Sequence, residues 1–123
     1  METSVNNKCR AFTSLEQSKK LAEILPLESA DMFWYRDAVT KEVNPRIMNY
    51  KQVPELQSMY YSPCWSLASL LSILPEIQGG KPIIALDDNY ITYPHISDLH
   101  TKADSLIDAC VTMIIKLSEH KML

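Results

Sequence analysis

Hydrophobic positions recur at helical spacing near both ends of the chain and in its middle, and short aromatic or β-branched runs lie between them. Thr13 and Ser14 stand three residues before Glu16 and Gln17, forming two overlapping capping boxes. In each, a hydroxyl accepts a first-turn amide and the later side chain reaches back. A helix is expected from here to Pro26. Leu21, Ile24 and Leu25 supply its buried side, and Glu16 and Lys20 form an i,i+4 pair on the other. Met32-Phe33-Trp34-Tyr35 is the first strand, and the stretch from about Val39 to about Tyr50 supplies its return strand. Pro45 places that second strand at an edge, because proline has no amide to give a ladder. Leu56 to Tyr61 is read as connection.

Ser62-Pro63 reads as the next helix start, with a hydroxyl at the cap and proline at the first helical position. The run Cys64 to Leu74 is apolar on all sides except a line of serines, Ser66, Ser69 and Ser72, so this helix is expected to be central and buried. Pro75 ends it, and Gly79-Gly80 makes a turn. Pro82 to Leu86 and Tyr90 to Tyr93 flank Asp87-Asp88-Asn89, the pattern of a hairpin. A closing helix spans about Asp104 to about His120. Leu106, Ile107, Cys110, Val111, Ile114 and Leu117 lie on one side of it, and Asp108, Thr112, Lys116 and Glu119 on the other.

The order helix-ββ-helix-ββ-helix, with short hairpins that pair antiparallel, predicts an α+β fold: one antiparallel four-stranded sheet packed with helices. Residues 1–12 are polar and unpatterned and read as a flexible N-terminal tail, followed by a single domain over 13–123.

Composition narrows the function classes. Apolar residues make up 46% and charged residues 22% of the 123, the balance of an ordinary globular chain that needs no metal or disulfide to hold its core. Lys and Arg number 12 against 15 Asp and Glu, and they are scattered, so no basic stripe exists to track phosphates and nucleic acid is not an expected partner. No apolar run approaches the roughly 20 residues that span a bilayer. Three widely spaced cysteines, Cys9, Cys64 and Cys110, with no C-x-x-C pair, fit a reducing cytoplasm.

The segments Ser18-Lys19-Lys20-Leu21-Ala22-Glu23-Ile24-Leu25-Pro26, Glu28-Ser29-Ala30-Asp31-Met32 and Pro63-Cys64-Trp65-Ser66-Leu67 resemble small uncharacterised proteins encoded in prophage and mobile regions of gut bacteria. That family brings no function with it. The second half is similar to the phage ABA-sandwich domain: Tyr61-Ser62-Pro63 opens a helix, a hairpin follows, and Leu106-Ile107-Asp108-Ala109-Cys110 sits in a closing helix. The resemblance covers roughly half the chain. It implies the fold and a phage context and carries no catalytic residues.

Candidate chemistry is sparse. The only glycines, Gly79 and Gly80, are adjacent, so neither a Walker loop nor a dinucleotide fingerprint can be written, and no cofactor is expected. His95, Asp98 and His100 are the nearest approach to a metal-ligand cluster, set against the plainer reading of a polar connection before the last helix. Asp87 and Asp88 read as turn formers before they read as a catalytic pair. Cys64, placed by this reading at a helix N-terminus that would favour thiolate, is a candidate nucleophile with His95 or His100 as base. The opposing reading is a buried structural cysteine. The aromatic residues Phe33, Trp34, Tyr35, Tyr60, Tyr61 and Trp65 form two clusters. In a strand Trp34 faces away from Phe33 and Tyr35, so one set points outward. Trp34, Tyr35, Tyr60, Tyr61 and Trp65 are therefore the expected binding surface of a non-enzymatic protein that forms a homodimer or binds another protein. A small hydrolase or ligand-binding protein built on Cys64 is the alternative.

Overall fold

A computed structural model describes residues 11–47 and 60–123, with backbone alone at Tyr60 and Tyr61. The fold is α+β, and the strands among the described residues form two three-stranded antiparallel sheets in place of the single four-stranded sheet that the pattern predicts. The chain divides into two compact units, Phe12–Ser69 and Leu70–Leu123. The expected tail falls, up to residue 10, outside the described residues.

In the first unit, helix α1 (Leu15–Ala22) opens on the second of the two overlapping boxes: Gln17 N donates to Ser14 Oγ at 3.1 Å, and Ser14 N donates to Gln17 Oε1 at 3.0 Å. A single turn of 3-10 helix at Leu27–Ser29 follows Pro26. Strand β1 (Met32–Arg36) is central, between β2 (Val43–Ile47) and β3 (Tyr60–Cys64). Trp34 lies opposite Pro45 on β2, and Phe33 opposite Pro63 on β3. Both outer strands thus carry a proline, tolerated there because an edge has one side with no ladder to complete. Asp37 shapes the β1–β2 turn by accepting the amides of Val39 and Thr40 at 2.8 and 2.9 Å.

The expected helix start at Ser62-Pro63 is corrected. Tyr60 to Cys64 are strand, and the helix, α2 (Leu67–Ile73), begins three residues after Cys64. A hydroxyl followed by proline suits an edge strand as well as a helix start, and pairing with β1 decides between them. The actual cap is Ser66, whose hydroxyl accepts from Ser69 N at 3.2 Å. Asp31 holds that cap in turn, receiving Ser66 N at 2.9 Å and the Ser66 hydroxyl at 2.5 Å. Partial burial raises the carboxyl pKa of Asp31, but these hydrogen bonds and one from Ser69 outweigh it, leaving a net lowering.

In the second unit, Ile77 and Gly80 exchange amide hydrogen bonds of 2.9 Å around Gln78 and Gly79, both at positive φ, the signature of a tight primed turn. Strand β4 (Ile83–Ala85) meets β5 (Tyr90–Thr92) across a 3-10 turn at Leu86–Asp88 closed by left-handed Asn89, as the hairpin pattern predicts. The chain then adds β6 (His100–Lys102) on the far side of β5, a strand hidden in the sequence by its His-Thr-Lys composition. Helix α3 (Leu106–Glu119) packs on β5 and β6, burying Ile107, Ala109, Cys110, Val111, Met113, Ile114 and Leu117. Its cap is Ser105, which accepts from Asp108 N at 3.2 Å. Thr101, buried on β6, satisfies its hydroxyl on Ala109 O at 2.9 Å. Among the described residues no helix is long and apolar enough to cross a membrane.

Candidate functional site

The first unit holds a buried polar cluster centred on Thr13. Thr13 and Ser18 are fully buried polar residues, and their hydroxyls lie 2.7 Å apart. Ser18 also receives the indole N–H of Trp34 at 2.9 Å, and the Thr13 hydroxyl receives Trp65 N at 3.2 Å. Beside them, the Cys64 thiol contacts the Thr13 hydroxyl at 3.7 Å and donates to the Thr13 carbonyl at 3.6 Å.

Cys64 ends strand β3, so the helix N-terminus expected to activate it is not its environment. Burial pushes its thiol pKa up, and the opposing hydrogen bonds from Thr13 and Ser18 do not reverse this. A thiol so placed stays protonated at neutral pH, the reverse of what a nucleophile needs.

Of the expected aromatic surface, Trp65 faces inward, and Trp34 and Tyr35 are half-buried. Trp65 is fully buried and donates its indole N–H to Ser29 Oγ at 3.0 Å, so it offers nothing to a partner. Trp34 is half-buried, edge-on to Phe12 with centroids 6.1 Å apart. Phe33 and Tyr35 share the opposite face of β1, as strand alternation requires, with Phe33 buried and the Arg46 guanidinium over the Tyr35 ring at 5.2 Å. The side chains of Tyr60 and Tyr61 lie outside the described residues.

In the second unit His95 is a structural clamp. Its Nε2 lies 2.6 Å from the Ile77 carbonyl, which requires the proton on Nε2, and its ring meets Tyr93 edge-on. Tyr93 is fully buried and donates to Pro75 O at 2.7 Å. His100 instead begins β6 and lies against the Tyr90 ring. Among the described residues no three His, Cys, Asp or Glu side chains gather where they could hold a metal ion.

What remains as a site is the outer edge of β4, which no other strand among the described residues pairs. Of the four outer strands among the described residues, β2 and β3 contain proline and β6 ends in exposed Lys102, devices that discourage strand pairing. β4 has only aliphatic residues, Ile83-Ile84-Ala85, followed by Leu86. Ile83 is 56% exposed and Leu86 66% exposed. The sequence signal for this edge is the one used for Pro45: Pro82 at the mouth of a strand marks it as outermost. Which strand lies outermost in that sheet depends on β6, whose His-Thr-Lys sequence carries no strand pattern.

No protein-family model, no curated protein and no solved structure matches this chain.

Proposed function

We propose that this chain is a non-enzymatic accessory protein, of phage or prophage origin, that acts in a reducing cytoplasm by pairing the open edge of β4 with another polypeptide strand. The carrying observation is that β4 leaves Ile83 and Leu86 exposed beside a strand edge that no other strand among the described residues pairs, and that Ile83-Ile84-Ala85 itself holds neither a proline nor a charge, unlike β2, β3 and β6. Strand addition of this kind draws its affinity from main-chain hydrogen bonds and its selectivity from the flanking side chains. The unpaired, buried thiols of Cys64 and Cys110 suit the reducing compartment. The alternative of a cysteine-based hydrolase finds no support in Cys64, whose environment favours the thiol over the thiolate.

The test is a photo-crosslinking residue at position 83 in the full chain expressed in a bacterial cytoplasm, with exposed Thr112 on the outer side of α3 as the control position. Covalent adducts to polypeptide from position 83 and none from position 112 are expected. Recovery of unmodified chain from both positions would end the proposal.

A further inference from the structure

We propose that residues 12–25, α1 together with the short segment before it, form a detachable strap over the Cys64 thiol, which opens as one piece while the rest of the chain stays folded. The strap belongs to the first unit and is independent of the β4 edge.

Polar contacts do most of the holding. Thr13 N donates to Trp65 O at 2.9 Å, Trp65 N donates to the Thr13 hydroxyl at 3.2 Å, and Phe12 and Ser66 form an antiparallel bridge. The Cys64 thiol donates to the Thr13 carbonyl at 3.6 Å, and the Trp34 indole donates to the Ser18 hydroxyl at 2.9 Å. Water replaces partners of this kind when they separate, so each bond adds little net stability. The apolar share is small. Within α1 only Leu21 is buried beside Ser18, and Leu25 follows just past the helix. A helix of eight residues is below the roughly 12–15 that persist unaided, so α1 exists only while docked.

Past Pro26 the chain has anchors of its own. The Trp65 indole donates to Ser29 Oγ at 3.0 Å, Asp31 receives Ser66 N at 2.9 Å, and β1 is paired along both edges. None of these bonds involves the strap. In the second unit α3 is 14 residues long and buries seven of them. Elements that bury little surface open at lower free energy than those that bury much, so the strap is the piece that leaves first.

Cys64 reports the motion. In the closed form its side chain is fully buried, with the sulfur 3.7 Å from the Thr13 hydroxyl. Opening carries Thr13 and Ser18 away and bares the thiol, along with the indole N–H of Trp34. The reactivity of Cys64 is then set by the strap equilibrium and requires no activation of the sulfur. Cys110, buried within α3, is the internal standard.

The experiment is slow alkylation of the full chain by dilute iodoacetamide in a Cys9→Ser background, across urea concentrations below the unfolding transition, with each thiol read by peptide mass spectrometry. Minutes of exposure label neither thiol. Over hours Cys64 is expected to react at least about tenfold faster than Cys110 and with a shallower urea dependence, because its opening exposes less surface. Thr13→Val is expected to speed Cys64 about thirtyfold. Gly80→Ala, which crowds the His95 ring in the second unit, is expected to speed Cys110 and leave Cys64 unchanged, since the strap opens with that strain still in place. Deuterium exchange of the same protein is expected to release the α1 amides while those of β1 stay protected. Equal rates and equal urea slopes for the two thiols would mean that Cys64 is bared only by global unfolding, and would overturn the proposal without recourse to either variant. Equal acceleration of both thiols by Gly80→Ala, or a Cys64 rate indifferent to Thr13→Val, would do the same. Loss of β1 protection together with α1 would also overturn it, by making the whole first unit the piece that opens.

Discussion

The backbone amide of Trp65 donates to the side-chain hydroxyl of Thr13 at 3.2 Å, joining two fully buried residues 52 positions apart in the chain. The bond is reciprocated by Thr13 N, which donates to Trp65 O at 2.9 Å. One threonine thereby fastens the segment before α1 to the end of β3, and it also supports Ser18 and, through it, the indole of Trp34.

Thr13→Val keeps the volume and removes the hydroxyl, leaving Trp65 N–H without an acceptor in a dry environment. A loss of about 2 kcal/mol is expected in urea denaturation, since an unsatisfied buried donor costs roughly 1–3 kcal/mol. Thr13→Ser, which retains the oxygen, is expected to lose less than half of that. Equal stability of Thr13→Val and wild type would show that the cluster does not hold this unit together.

The buried thiols give a second prediction. In a Cys9→Ser background, a thiol-specific chromogenic reagent at neutral pH is expected to leave Cys64 and Cys110 unlabelled in the native state and to react with both in denaturant. Rapid labelling of native Cys64 would instead revive the nucleophile reading.

The alkaline limb of stability has a defined sign. Burial pushes the Tyr93 phenol from its ordinary 10.0 up to about 12, and the Cys110 thiol from 9.0 up to about 12. The folded chain keeps both protons in a range where the unfolded chain has released them, so the unfolded state binds fewer protons and stability falls as pH rises. The contribution is complete below about pH 9 and is lost by about pH 12. Thermal unfolding across this range is expected to show a falling Tm, and the tyrosinate absorbance of the native protein is expected to include one tyrosine titrating well after the others. A Tm level to pH 11, about two units above the ordinary cysteine value, would contradict this.

Gly80 supplies a fourth test. A Cβ at this position would overlap the imidazole of His95, which is held against the Ile77 carbonyl. Gly80→Ala is expected to destabilise the protein by about 1–3 kcal/mol, the usual range for overpacking. The same substitution in a His95→Ala background is expected to cost much less, because the ring it would strike is gone. Equal costs in the two backgrounds would mean the ring moves aside freely.

Much of the fold was legible where a local pattern had one physical solution. The capping box at Ser14 and Gln17, the alternation of Phe33, Trp34 and Tyr35, the Pro45 edge, the Asp87 to Asn89 turn and the apolar face of α3 all appear as their residues predict. The failures came where one pattern had two solutions. Ser62-Pro63 suits a helix start and an edge strand alike, and only pairing with β1, distant in sequence, selects the strand. His100-Thr101-Lys102 has no apolar alternation visible in three residues, and it becomes strand by completing β5 and burying Thr101 under α3. Cys64 looks activated only if the helix starts at Ser62-Pro63; as the last residue of β3 it has no helix N-terminus beside it. Trp65 faces inward for a related reason: aromatic content does not say which way a ring faces, and Ser29 gives this indole an interior partner. The β4 edge depended on the order of strands, a long-range property.

The arrangement of the first sheet also bears on the order in which the protein is built. Its middle strand is made early, β3 comes last, and Thr13 waits for an amide 52 residues downstream. On the ribosome, α1, β1 and β2 therefore emerge without the strand and the loop-closing bonds that complete their interior, and this unit cannot lock until Trp65 has cleared the exit tunnel. During that interval the face of β1 that carries Phe33 is at its most vulnerable to misassociation, so a translational pause placed far enough beyond Trp65 for it to have left the tunnel would favour correct folding, and one placed while Trp65 is still inside would hinder it.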